Sequence, residues 1–337
     1  MLLRDSLQQD VIASVRKSLT FDISYQRIKP DISSFIAVTS TLPLKNLDDW
    51  ERMIGGEISS SLYRYSLKHE ITERHQVGSL RWMDICNADG FRRERALKSL
   101  SGAAPNRFLF ALAVRKLNDW VPQVRAAARD ALTLIAEATD PELIVDVLFI
   151  TLPYWNSWGR MGDIEKEVLV KVLLTKNVAG VLKNRLLAST SGPAASLFVQ
   201  AGCKGVLDDY LSEIAEKSVQ PSLRAKAYRC LLERKFVWAE GMAWQWVDKV
   251  HGIRRRVPVL KERVISTESP LIDNLRRATF DRSPRVRRIA GEIIIKEWDN
   301  IGIGDEAFRL ASILASDTSP SVADRGRYAL ADLEKRS

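Results

Sequence analysis

Asp281-Arg282-Ser283-Pro284-Arg285-Val286-Arg287-Arg288-Ile289-Ala290 is the stretch on which the fold turns, because the chain writes it four times. The other copies begin at Asp119-Trp120-Val121-Pro122, Ser218-Val219-Gln220-Pro221 and Asp317-Thr318-Ser319-Pro320, and all four superimpose without a gap. Two residues past each proline stands an aliphatic (Val124, Leu223, Val286, Val322) and six past it a small residue (Ala128, Ala227, Ala290, Gly326). Ten past it comes another aliphatic: Leu132, Leu231, Ile294, Leu330. An arginine follows the first aliphatic in three copies, as Arg125, Arg224 and Arg287, and Ala323 takes that slot in the fourth.

Each position has a mechanical reason. Asp or Ser satisfies backbone donors in a turn between helices. Proline fits the first helical turn, where its missing N–H has no partner to lose. The aliphatic and small positions fall on one helical stripe, and the small residue lets a neighbouring helix approach. A turn-plus-helix unit repeated in this way predicts stacked helix pairs that bury a continuous core.

The pattern resembles the second helix of a HEAT repeat, whose core reads D-x-x-P-x-V-R-x-x-A. The resemblance implies an all-α fold: a right-handed α-solenoid of HEAT-like helix pairs over residues 81–337, with residues 1–80 as an N-terminal capping segment. It also implies that Arg125, Arg224 and Arg287 pair with Asp residues of neighbouring turns, such as Asp119 or Asp281. Successive prolines are 99, 63 and 36 residues apart. The last spacing is one helix pair, and the longer gaps leave room for unrecognised repeats, with helices expected at Asp163–Leu174 and Asn177–Leu187. A degraded fifth copy lies near Asp89, with Gly90 for the proline, then Arg93, Ala96 and Leu100.

Residues 1–80 lack the repeat. Met1–Leu19 reads as an amphipathic helix, Phe21–Leu44 as extended or irregular, and Leu47–Ile71 as a helix broken near Gly55-Gly56. From Trp82 onward helix is expected to follow helix. The exception is an aromatic loop, Thr151–Arg160, whose Trp155 and Trp158 are candidate contact residues because exposed aromatics seek a partner.

Apolar residues make up 46% of the chain and charged residues 28%, the balance of a folded soluble protein. No run approaches the roughly 18 apolar residues of a membrane span, so a membrane partner is not expected. The N-terminal stretch carries acids where a secretory signal has its apolar run. Cys86, Cys203 and Cys230 lie far apart, which fits a reducing, cytoplasmic setting rather than a disulfide framework or zinc site.

The net charge is +9, and residues 251–290 hold eleven Lys/Arg against four Asp/Glu. Such a stretch is a footprint for a polyanion or an acidic protein surface. Its cations outside the repeat slot are Arg254, Arg255, Arg256, Arg276, Arg277, Arg282, Arg285 and Arg288, and these join the two tryptophans as candidate partner-binding residues. Arginine suits that role because its planar fork engages carboxylate or phosphate with two bonds.

Catalytic patterns are sparse. His69 and His75 are six residues apart, on different sides of a helix, so the zinc-protease arrangement is absent. Neither a phosphate-cradling glycine loop nor a nucleophile elbow occurs, and no metal or small-molecule cofactor is expected. One segment, Trp244-Gln245-Trp246-Val247-Asp248, resembles the DNA-alkylation-repeat glycosylases, which place a tryptophan four residues before a catalytic aspartate on a DNA-facing helix. The leading expectation is a non-catalytic solenoid that binds a protein, as adaptor, scaffold, regulator or immunity-type inhibitor. The alternatives are a nucleic-acid-binding solenoid using residues 251–290, and the glycosylase.

Overall fold

The computed structural model describes residues 2–22, 27–69, 80–175, 177–267, 269–301 and 304–336. These residues are predominantly helical, with two antiparallel hairpins. The chain divides into two compact units, Met1–Val181 and Leu182–Ser337.

In the first unit, the helix Leu2–Ser18 packs against Ser33–Ser40 and Leu47–His69, and strand β1 (Leu19–Asp22) pairs with β2 (Arg27–Pro30). The expected break at Gly55-Gly56 is absent: Leu47–His69 runs through both glycines. Gly55 serves packing instead, since a Cβ there would stand 2.3 Å from the Cys86 carbonyl oxygen. Nearby on the same helix, the buried Glu57 gathers Arg16 at 2.9 Å, Arg64 at 2.6 Å and the Ser61 hydroxyl at 2.9 Å. The N-terminal helices are tied to the helix Arg107–Arg115 and the residues flanking it. Asn106 donates to the Ile36 carbonyl and the Thr39 hydroxyl, while Arg115 and Lys116 form ion pairs with Asp48 and Glu51. Glu70 and His75 lie outside the described residues, as does the side chain of His69.

All four repeat prolines open a helix: Pro122–Ala138, Pro221–Glu233, Pro284–Ile301 and Pro320–Arg336. Within the second unit each pairs with the helix before it, namely Leu211–Lys217, Leu271–Thr279 and Gly304–Ala315, and the proline-led helices also pack on one another in order. The expected stripe is the core. Val124, Leu223, Val286, Val322, Ala128, Ala227 and Ala290 are all fully buried. Gly326 replaces alanine where the contact is tightest, since a Cβ would lie 2.1 Å from the Ala315 backbone nitrogen. In the first unit, Asp163–Leu174 forms as expected and is followed by Val178–Ala188.

The repeat arginines form one bonding scheme. Each donates to the carbonyl six residues before it: Arg125 to Asp119 at 2.8 Å, Arg224 to Ser218 at 2.8 Å, Arg287 to Asp281 at 2.9 Å. Arg93 does the same to Asn87 at 2.9 Å, so the degraded copy holds Asn87 in the Asp slot, two residues before Asp89. The rest of the guanidinium grips the Asp of the next turn in a two-bond fork. Arg93 holds Asp119, Arg224 holds Asp281 and Arg287 holds Asp317, at 2.6–3.0 Å. Those carboxylates in turn accept the amide two residues on, from Val121, Ser283 and Ser319. Burial pushes the Asp119 carboxyl up, but the Arg93 fork, the Val121 amide and Lys116 outweigh it and leave it below the usual range. The Arg287 fork likewise holds Asp317 low.

Helix does not follow helix throughout. The gap of 63 residues between Pro221 and Pro284 holds no extra repeat; it holds a long hairpin, β3 (Lys235–Asp248) and β4 (Ile253–Val264). Subtracting it leaves the spacing of one helix pair, made with Leu271–Thr279.

Two measurements probe this packing. Alanine normally stabilises a helix interior over glycine by about 0.5–1 kcal/mol, and Gly56→Ala, with open space around it, is expected to do so in urea unfolding. Gly326→Ala is expected to reverse the sign, destabilising by about 1–3 kcal/mol through overpacking. For the ladder, Asp317→Asn is expected to cost about 1–3 kcal/mol at neutral pH by removing a charge-assisted fork. The wild-type carboxyl titrates below its unfolded value of about 3.9, so its contribution is present above about pH 4 and fades as pH falls through the folded value. The gap between wild type and variant should therefore close in acid, measured as unfolding free energy against pH.

Candidate functional site

The hairpin is built on a foot. Arg234, in the left-handed region at φ 50°, ends the helix Pro221–Glu233 and turns the chain into β3. Phe236 is buried with its ring against Phe198, centroids 5.4 Å apart. It also presses on Gly202, where a Cβ would meet the ring at 2.3 Å. Across the ladder from Phe236, Arg263 lays its guanidinium 5.3 Å from that ring and donates to the Gly202 carbonyl and the Asp208 carboxylate. The Ile265 amide closes the base on the Arg234 carbonyl at 3.0 Å.

Beyond the foot the hairpin is exposed on both sides, with only Asp248 and Val257 half-covered between Ala239 and Glu262. Residues opposite one another share a face, so the register decides what meets. Trp246 stands opposite Arg254, Trp244 opposite Arg256 and Met242 opposite Pro258, all on one face. Gln245 opposite Arg255 and Ala243 opposite Val257 occupy the other. Trp244 and Trp246 are 57% and 53% exposed, well outside the range of packed indoles. The Arg254 guanidinium lies 4.5 Å from the Trp244 ring centre and that of Arg256 5.9 Å. Cation–π contact of this kind orders long side chains without using up their charge.

The tip is a turn over Lys249–Gly252, with Gly252 at φ +67°. Asp248 accepts the Val250 and His251 amides at 2.8 and 3.1 Å and meets His251 Nδ1 at 2.7 Å. The His251 ring and these amides hold its carboxyl below the usual range. Trp244 and Asp248 therefore sit on a strand rather than the helix the glycosylase resemblance implies, and the carboxylate is engaged in closing the turn.

Charge separates the hairpin from its surroundings. It carries six Lys/Arg against three Asp/Glu along its two strands. Its ion pairs are Lys235–Glu262, Lys261–Glu240, His251–Asp248 and Arg263–Asp208; among the described residues no carboxylate pairs with Arg254, Arg255 or Arg256. Arg255 reaches only the Gln245 side-chain oxygen, at 3.3 Å. The other candidate arginines are mostly engaged. Arg276 pairs with Glu306 and Asp273, Arg277 with Glu216, and Arg288 with Glu292, while Arg282 donates to the Ser218 carbonyl. Arg285 is exposed. The basic stretch 251–290 is thus not one patch, because its helical part is largely neutralised by local acids.

The aromatic loop also differs from expectation. Its first part is a short 3-10 helix, Leu152–Ser157, and Trp155 is 3% exposed, so it belongs to the core and is withdrawn as a contact residue. Trp158 is half-buried under the Arg115 guanidinium at 5.5 Å. Cys86 and Cys230 are buried, and burial pushes both thiols up, Cys230 to about 12, which leaves neither a nucleophile at neutral pH. Among the described residues no group of His, Cys, Asp and Glu side chains is arranged to hold a metal, and no helix is long and apolar enough to cross a membrane.

No protein-family model matches the chain, and none of the curated proteins matches it.

The hairpin had a signal in the sequence. Val237, Trp238, Trp244, Trp246, Val247, Ile253, Val257, Val259 and Val264 make residues 235–264 rich in β-branched and aromatic types around a Gly-containing turn. Limited trypsin digestion of the native chain is expected to cut first at Lys249 or Arg254–Arg256, as mass spectrometry of the fragments would read out. Phe236→Ala, which empties the foot at a cost of about 3–5 kcal/mol, should accelerate that cleavage.

Proposed function

We propose that this chain is a non-catalytic nucleic-acid-binding protein: a right-handed stack of HEAT-like helix pairs, capped by residues 1–80, that carries the β3–β4 hairpin as its binding arm. The observation that carries the reading is the contrast among its arginines. Those on the helices are mostly committed to carboxylates or turn carbonyls, whereas Arg254, Arg255 and Arg256 meet no acid among the described residues, and Arg254 and Arg256 share a face with two exposed indoles. Uncommitted guanidinium groups bind phosphate, and exposed rings bind bases. The helix pairs packing in order, with each fork tying one turn to the next, support the solenoid part of the proposal.

The non-catalytic part rests on the candidate aspartate, Asp248, being held in the tip turn by two amides and His251. A reducing, cytoplasmic setting fits three cysteines that are all free thiols. A protein partner is the second reading, favoured by exposed Met242, Leu260 and Val264 and by the open edges of a two-stranded ribbon.

The two readings separate in a salt series on the purified full chain. Nucleic-acid affinity is expected to fall linearly in log–log form, and Arg254→Gln/Arg255→Gln/Arg256→Gln should reduce the slope by about 2 to 3, at roughly 0.7–0.9 for each phosphate no longer neutralised. An unchanged slope in the folded variant would remove the arm from the interface. Incubation with methylated DNA is expected to release no alkylated base, and release abolished by Asp248→Asn would reinstate an enzyme.

A further inference from the structure

We infer that the hairpin recognises unpaired bases, so that single-stranded nucleic acid is preferred over duplex; the inference rests on the nucleic-acid reading above and specifies its ligand. Trp244 and Trp246 are two residues apart on one face of β3. At about 3.3 Å per strand residue their rings repeat at about 6.6 Å. Nucleotides in a stacked strand rise about 3.4 Å each, so that repeat accommodates one base between two aromatic layers.

The two rings differ in a way that suits the task. Trp244 is already flanked by the guanidinium groups of Arg254 and Arg256, which orders it before any ligand arrives. Trp246 is as exposed and, among the described residues, forms no ring or cation contact. One indole is thus held by cations whose charge is open to a backbone phosphate, and the other keeps an uncovered π face. From Met242 to Trp246 the same face spans about four nucleotides of strand.

Duplex DNA offers this face little. Its base faces are covered by their neighbours, and a ribbon lying in the major groove meets only base edges. Edges are read by Arg, Asn or Gln, but Arg254 and Arg256 are already laid over the Trp244 ring, and Gln245 points to the opposite face and meets Arg255. Stacking on a duplex would first require a base to be unstacked. Stacking plus phosphate pairing tolerates any sequence, so preference for strand state rather than for sequence follows.

The test is fluorescence anisotropy of the full chain with labelled oligothymidylate of about 20 nucleotides and a mixed-sequence duplex of about 20 base pairs. The oligothymidylate is expected to bind about tenfold more tightly and to quench indole fluorescence. Trp244→Ala/Trp246→Ala should weaken oligothymidylate binding about tenfold or more and duplex binding less than about twofold. Trp246→Phe, which keeps a π face, should retain most of the affinity. Where the double variant does not fold by circular dichroism, Trp246→Ala alone at its exposed position replaces it. Duplex bound as tightly as the single strand, or both losing equally in the tryptophan variant, overturns the stacking inference while the nucleic-acid reading stands. Binding of neither probe overturns both.

Discussion

An arginine that closes its own turn with one nitrogen and grips the aspartate of the next turn with two others is the contact on which the helical framework depends. Arg93, Arg224 and Arg287 all make it. The carbonyls they engage belong to the irregular backbone before each helix of the repeat, where no helix supplies a donor. The aspartates they engage hold the amide just ahead of the next helix. A single guanidinium therefore satisfies two turns at once and sets the distance between them. Arg93 and Asp119 are both nearly excluded from water, where removing one partner strands the other charge at a cost of about 3–5 kcal/mol. Among the described residues Arg125 keeps only its bond to the Asp119 carbonyl, and its helix is tied by Arg129 to Glu165 of the helix Asp163–Leu174 instead.

The hairpin obeys a different constraint. An isolated two-stranded ribbon is marginal in water, so this one depends on its foot. Phe236 fits because residue 202 is glycine, and Arg263 covers that ring while satisfying the Gly202 carbonyl and Asp208. Open edges invite further strands, and the ribbon carries the usual deterrents: a bulge at Glu240, Pro258 within β4, and charged pairs at Lys261–Glu240 and Lys235–Glu262. Its exposed tryptophans stand against that background as features kept despite their solvation cost.

Net charge alone misplaces the site. The helices beyond the hairpin are rich in arginine, but Glu292 alone draws Arg229, Arg288 and Arg325 within 2.7–3.4 Å. Burial pushes that carboxyl up, and the Arg229 bond with its neighbouring cations brings it below the usual range. In that cluster each guanidinium is already bonded to a carboxylate. On the hairpin Arg254 and Arg256 lie over the Trp244 ring rather than against acids, so their charge remains available to a ligand.

The sequence by itself determined the helical framework: a four-fold pattern of turn, proline, aliphatic and small residue names the helix starts, the core stripe and the arginine slot. It could do so because those roles are local, set by backbone geometry and helical period. The degraded fifth copy was legible in the same way, although Asn87 rather than Asp89 fills its turn. What the tertiary structure decided is which cations are spent. Whether Arg277 or Arg254 is paired depends on a carboxylate 61 residues distant in one case and on its absence among the described residues in the other. The hairpin, too, was decided in three dimensions. Trp244 and Asp248 are four apart on either a helix or a strand, and the β-branched and aromatic types around them favour the strand without anchoring it. Phe236 meeting Gly202 and Phe198 anchors it, because a β ribbon gains its stability from residues far along the chain.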